Sequence, residues 1–266
     1  LEKFGTRTLA ESLKPAIQLA RNGFTVLPRF TEGTESARER LEPWPASKAK
    51  FFKSDGSAYQ PGDIFVQKDL ARTLQRIADK GTAGFYKGET ADLIVAEMKA
   101  HGGLINHEDL AGYRATLRTP VHGQYRGYDI FSMSPPSSGG THIVQILNIL
   151  GGYPIGDLGH NSAATIHLMA EAMKLAYADR SKYLGDTDFV DVPLKGLTSP
   201  AYAEKLRKTI DLEKATPSAS VSEGDPTPFE SNETTHFSVV DRWGNAISNT
   251  YTINFSYGSG ITVEGA

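Results

Sequence analysis

The chain has 266 residues, 39% apolar and 22% charged, with a formal net charge of −3, a composition of folded globular proteins rather than disordered or membrane ones. The small net charge gives no electrostatic case for a nucleic-acid or anionic-membrane partner, and no apolar run approaches the ~18 residues of a membrane span. The absence of cysteine excludes a disulfide framework, a cysteine nucleophile and a thiolate metal site.

The first half reads as largely helical. "TLAESLKPAIQLARNG" opens with Thr8 and Glu11 at capping-box spacing and ends at Asn22-Gly23, with Pro15 expected to split it. Residues 28–64 carry Pro28, Pro43, Pro45 and Pro61 among charges, which suggests an irregular surface connection with room for one short helix. "KDLARTLQRIADKG" places Leu70, Leu74 and Ile77 on one helical face, and "ETADLIVAEMKAHGG" does the same with Leu93, Ile94 and Met98. "NHEDLAGY" suggests a short helix capped by Asn106.

Near residue 116 the texture changes. "TLRTPVHGQYRGYDIFSM" alternates and is rich in β-branched and aromatic residues, which predicts two strands with a turn at Gly123 or Gly127. "PPSSGG" then reads as a tight turn feeding a helix. The next helix is expected to be long, capped at Asn161, with Ile166, Met169, Ala170 and Met173 inward. Residues 211–233 are polar and proline-rich and read as an exposed segment.

"FSVVD-RWG-NAISN" fits a three-residue hairpin loop with Gly244 in the left-handed position, so Asp241 should face Asn245. Stepping outward from that pair, Val239 meets Ile247, while His236 and Ser238 meet Thr250 and Ser248. One further step on the same face sets Thr234 opposite Thr252, with Cβ atoms about 5 Å apart. Asn254 lies two residues beyond. Cross-strand threonine pairs are common, and pattern alone favours a structural pair. A nucleophilic Thr234 needs an adjacent base. If the chain is cut before Thr234, its own α-amine, with an ordinary pKa near 7.7–8.0, supplies one.

The stretch "TTHFSVVDRWGNAISNTYTINFSYGSG" resembles the start of the small subunit of γ-glutamyltransferases (glutathione hydrolases), which are N-terminal nucleophile enzymes. "YRGYDIFSMSPPSSGGTHIVQILNIL" and "AEAMKLAYADRSKYLGDTDFVDVP" resemble their large subunit, in the same order along the chain. The resemblance implies an α+β fold, part of a four-layer αββα sandwich with a helix-rich first half. It implies self-cleavage between Glu233 and Thr234, so that residues 1–233 end the large subunit and residues 234–266 begin the small one. Thr234 would then be nucleophile and α-amine base, Thr252 would support it, and Asn254 would contact the glutamyl α-amino end of the substrate. Glutathione and other γ-glutamyl compounds are the implied substrates, with water, amino acids or peptides as acceptors. No metal or organic cofactor is implied, and the family context is periplasmic or secreted.

The chain starts at Leu1 rather than Met and stops at "GITVEGA", so an internal fragment, itself inactive, is expected. The family's arginine for the substrate carboxylate and its oxyanion-hole glycines would lie outside it. A cephalosporin or glutaryl acylase of the same superfamily is the alternative enzyme, and a homologue that never cleaves is the non-enzymatic one. Other motifs carry less. "PPSSGG" lacks the spacing and lysine of a phosphate loop, and "SKAK" at Ser47–Lys50 matches S-x-x-K without its companion motifs. His160 and His167 lack further ligands at metal spacing. The glycosylation patterns at Asn232 and Asn254 read as chance, and Trp44 between two prolines reads as a packing anchor.

Overall fold

The computed structural model describes residue 1 and residues 3–221, 235–253 and 255–266. At the N-terminus, Glu11 N donates to Thr8 Oγ1 at 3.1 Å and Thr8 N donates to Glu11 Oε2 at 2.8 Å, closing the capping box. Helix α1 (Leu9–Asn22) then runs unbroken through Pro15. The expected split does not occur. Proline removes one ladder bond and crowds one carbonyl, but a capped first turn and the burial of Ile17 and Ala20 hold the helix together.

Residues 28–64 are also more helical than their prolines suggest. They form α2 (Pro28–Ser36), α3 (Arg38–Leu41) and α4 (Pro45–Phe51). Pro28 and Pro45 begin their helices, where a missing N–H costs nothing because that donor has no intrahelical acceptor. Strand β1 (Phe24–Thr25) pairs antiparallel with β2 (Ile64–Phe65). Phe65 is buried among the rings of Phe24, Phe30, Phe51 and Tyr59, with centroids 4.8–5.9 Å away. Beside it Ala37, Leu41, Phe52 and Ala58 form a buried cluster.

Helix α5 (Lys68–Lys80) packs on α1 and on α6 (Ala83–Tyr86). It buries Ala71 and Thr73, while Leu74 and Ile77 are half-buried and Leu70 is exposed, so the expected face is rotated. Helix α7 (Glu89–Ala100) follows, burying Thr90, Ala91 and Val95 rather than the larger Leu93, Ile94 and Met98. Helix α8 (His107–Gly112) is capped by Asn106 as expected, its Oδ1 accepting from Glu108 N and Asp109 N at 2.7 and 3.1 Å.

A second compact unit spans Thr116–Phe229 and begins where the sequence texture changes. Strands β3 (Val121–Tyr125) and β4 (Tyr128–Ser132) form the expected hairpin. Its turn is at Arg126-Gly127, both at positive φ, and Gly123 lies inside β3 instead. Helix α9 (Gly139–Leu150) packs on this hairpin and on α10 (Ala163–Tyr183) and, beyond α11 (Leu194–Leu197), on α12 (Pro200–Arg207). The shared core contains Ile149, Leu150, Leu168, Ala172, Ala203 and Ile210.

Two expectations for α10 fail. Ser162, not Asn161, caps it, accepting from Thr165 N at 3.2 Å, because Asn161 takes up the left-handed turn before the helix. Ile166, Met169, Ala170 and Met173 are exposed, and Thr165, Leu168, Glu171, Ala172 and Ala176 are buried. Contact with α9 buries the face that carries Leu168 and Ala172, which pack with Ile149 and Leu150. A shift of one residue turns a helix by about 100°.

Strands β5 (Thr235–Val240) and β6 (Ala246–Tyr251) form the last hairpin. Together with the residues that follow, they share one compact unit with Leu1–Ala115. Helices with small antiparallel sheets give the expected α+β class. Among the described residues no helix is long and apolar enough to cross a membrane.

Candidate active site

The last hairpin is set by its turn. Asp241 N donates to Asn245 O at 3.0 Å and Gly244 N to Asp241 O at 3.1 Å, with Gly244 at φ +84°. The Asp241 carboxylate accepts from Trp243 N and Asn245 N at 2.9 Å and from Asn245 Nδ2 at 2.8 Å. That side-chain bond from Asn245, with the backbone N–H groups behind it, holds the Asp241 carboxyl below its ordinary 3.8. The loop is the three-residue type expected, and it fixes the register of both strands.

The register is the expected one at every described pair: Val239 faces Ile247, Ser238 faces Ser248, His236 faces Thr250 and Thr235 faces Tyr251. Thr252 follows β6 directly and is exposed. Glu233, Thr234 and Asn254 lie outside the described residues, as do the proline-rich lead-in from residue 222 and the asparagine at 232. Of the residues singled out by sequence, the structure therefore places Thr252 and the hairpin that carries it.

Other motifs resolve into structure. Ser47 is buried and hydrogen-bonded to Gly260 O and Thr262, while Lys50 Nζ pairs with Asp69 at 3.0 Å, so the S-x-x-K residues face separate partners. "PPSSGG" is the turn into α9, where Gly139 N donates to Ser137 Oγ and Arg180 Nε to Ser138 Oγ, at 3.3 and 3.1 Å. His167 Nε2 bonds Asp211 O at 2.7 Å. Trp44, expected as a packing anchor, is half-buried and set edge-on against the exposed His101 at 4.9 Å. Sequence reasoning missed the role of Ser47, because its partners lie more than 200 residues away and nothing local announces them.

Comparison with known proteins places this chain in a family. The Gamma-glutamyltranspeptidase family profile covers residues 1–266. The Escherichia coli (strain K12) glutathione hydrolase proenzyme is 48% identical over 261 residues, 98% of this chain and 45% of its own. The Helicobacter pylori γ-glutamyltranspeptidase structure superposes with a TM-score of 0.81 at 48% identity, over 88% of this chain and 67% of that one. The cephalosporin acylase from Bacillus halodurans superposes with a TM-score of 0.85 at 32% identity, over 99% of this chain and 48% of its own. The chain thus spans about half the length of the curated relatives it matches. With the family profile matching this chain over residues 1–266 and relatives up to 48% identical, the chain belongs to the γ-glutamyltranspeptidase family.

Proposed function

We propose that this chain is the nucleophile-bearing portion of a γ-glutamyltransferase precursor that cleaves itself between Glu233 and Thr234. Residues 1–233 then close the large subunit and residues 234–266 open the small one. The observation that carries this reading is the β5–β6 register. It ends at the pair Thr235 and Tyr251, and the proposal takes position 234, one step further, to face Thr252.

In the proposed cleavage the Thr234 hydroxyl attacks the Glu233 carbonyl, the acyl group moves from nitrogen to oxygen, and water hydrolyses the ester. The new α-amine of Thr234, partly neutral near pH 7, then serves as base for its own hydroxyl. Thr234 attacks the γ-amide of glutathione or another γ-glutamyl compound, cysteinylglycine or the corresponding amine leaves, and the glutamyl group remains as an ester. Water, an amino acid or a peptide amine resolves it. Thr252 supports the nucleophile by a hydrogen bond, and Asn254 contacts the α-amino end of the glutamyl group. The chemistry is acyl transfer by threonine with no metal or organic cofactor, in a periplasmic or secreted enzyme.

The test uses the full-length protein. Intact mass should give two chains divided at Glu233/Thr234, and Thr234→Ala should give one. Thr252→Ala should slow self-cleavage or turnover by about tenfold to a hundredfold, the worth of one hydrogen bond to a group that carries charge. A wild type that stays uncut sinks the reading in favour of a non-cleaving homologue. The superposition with a cephalosporin acylase favours one second reading, acyl transfer on glutaryl-cephalosporin substrates. Relative rates on γ-glutamyl-p-nitroanilide and glutaryl-cephalosporin separate the two.

A further inference from the structure

Once the bond before Thr234 is cut, no covalent link joins β5 and β6 to residues 1–233, yet Thr252 must stay in place. Resting on the cleavage proposed above, we infer that Ser47 is a positioning residue, the centre of a clasp that holds the chain after β6 onto α2–α4. Ser47 is fully buried. Its Oγ lies 2.6 Å from Gly260 O, 2.9 Å from Thr262 Oγ1 and 2.9 Å from Thr262 N. A serine hydroxyl has one proton and two acceptor positions. The carbonyl can only accept, so Ser47 donates to Gly260 and accepts from both the N–H and the hydroxyl of Thr262. Every hydrogen-bonding position of this buried hydroxyl is committed to the piece that the cut would release.

Neighbouring contacts run the same way. Thr34 donates to Phe30 O at 2.8 Å, which leaves Tyr257 to donate its hydroxyl to Thr34 Oγ1 at 2.7 Å. Phe51 meets the Tyr257 ring edge-on at 4.9 Å. Arg40 Nη1 donates to Ser256 O at 2.9 Å. The backbone approach is close enough that a Cβ on Gly260 would sit 2.5 Å from Arg40 O. All these anchors lie within ten residues of Thr252, so they fix where β6 ends. In the uncut chain the tether through residue 233 keeps the two parts at high effective concentration; after the cut that contribution vanishes and the clasp must supply it.

The experiment compares Ser47→Ala in two full-length backgrounds, the cut wild type and uncut Thr234→Ala, by the urea concentration at which residues 234–266 separate or unfold. Removing the hydroxyl orphans Gly260 O and Thr262 N, a loss of about tenfold to a hundredfold in an equilibrium. The expected result is a larger downward shift in the cut protein than in the uncut one. Thr262→Val removes part of the same bond from the other piece, so the double variant should lose less than the two single losses multiplied. Equal shifts in both backgrounds, or independent losses in the double variant, overturn the clasp. If Ser47→Ala does not fold, Tyr257→Phe, which deletes only the outer bond to Thr34, should show the same cut-versus-uncut difference, and equal shifts again overturn it. Intact mass of the wild type is read separately: a single uncut chain overturns the cleavage reading beneath, and the clasp as a post-cleavage device with it.

Discussion

His142 shows how burial sets chemistry at one residue. Its ring stacks on Tyr177 at 5.5 Å, and its buried Nε2 has no hydrogen-bond partner among the described residues. Burial first, and then the Arg180 charge, lowers its pKa from 6.5 to about 4, so the folded protein keeps it neutral. The unfolded chain binds a proton there between those two values, and the folded chain does not. Stability therefore falls as pH drops from about 6.5 to 4, and this contribution is flat outside that window. Asp179, whose carboxyl is pushed up by burial despite hydrogen bonds from Gln145 and Tyr202, gives the opposite slope from 3.8 upward. The measurement is therefore a comparison: urea midpoints at pH 4.5 and 7 should differ less for His142→Gln than for the wild type. An unchanged difference removes His142 as the cause. None of this was legible in the sequence, where His142 is one of several polar residues in α9, beside Thr141, Gln145 and Asn148.

At the scale of elements, the structure turns on close approaches that periodicity does not register. Gly123 lies in β3 facing α9, and a Cβ there would stand 2.6 Å from Val144 Cγ1. Gly123→Ala should destabilise the chain by about 1–3 kcal/mol through overpacking. Val144→Ala makes room, so the double variant should recover much of the loss, as read from denaturant melts. Simple addition of the two losses would show that the strand and helix do not meet there. The same principle explains why α5 and α10 present different faces from those their largest apolar residues suggest. Helices such as α5, α7 and α8 were legible because 3.6-residue spacing and caps such as Asn106–Asp109 are local signals, whereas α2–α4 were not. Rotation about the axis was not, because the neighbour chooses the buried face. Prolines misled where their position within the helix, rather than their presence, decided the outcome.

At the scale of the whole molecule, one compact unit is assembled from sequence-distant ends: Leu1–Ala115 with Glu230–Ala266. Leu41 is fully buried in the cluster against which Tyr257 packs, more than 200 residues along the chain. Leu41→Ala should cost about 2–5 kcal/mol, the usual range for a large-to-small core change. Hydrogen exchange should rise at residues 257–262 as well as at 37–52; a rise confined to the second stretch would contradict a shared core. By itself, the sequence determined the helices outside residues 28–64, the caps at Thr8 and Asn106, the change of texture at residue 116, and the hairpin register, because turn chemistry at Asp241 and Gly244 fixes pairing within a dozen residues. It also carried the family resemblance, since long collinear motifs survive without coordinates. Only the tertiary structure decided which helical faces are buried and that Ser47 grips Gly260 and Thr262. Those outcomes depend on which surfaces meet across long stretches of chain, and no local pattern encodes the partner.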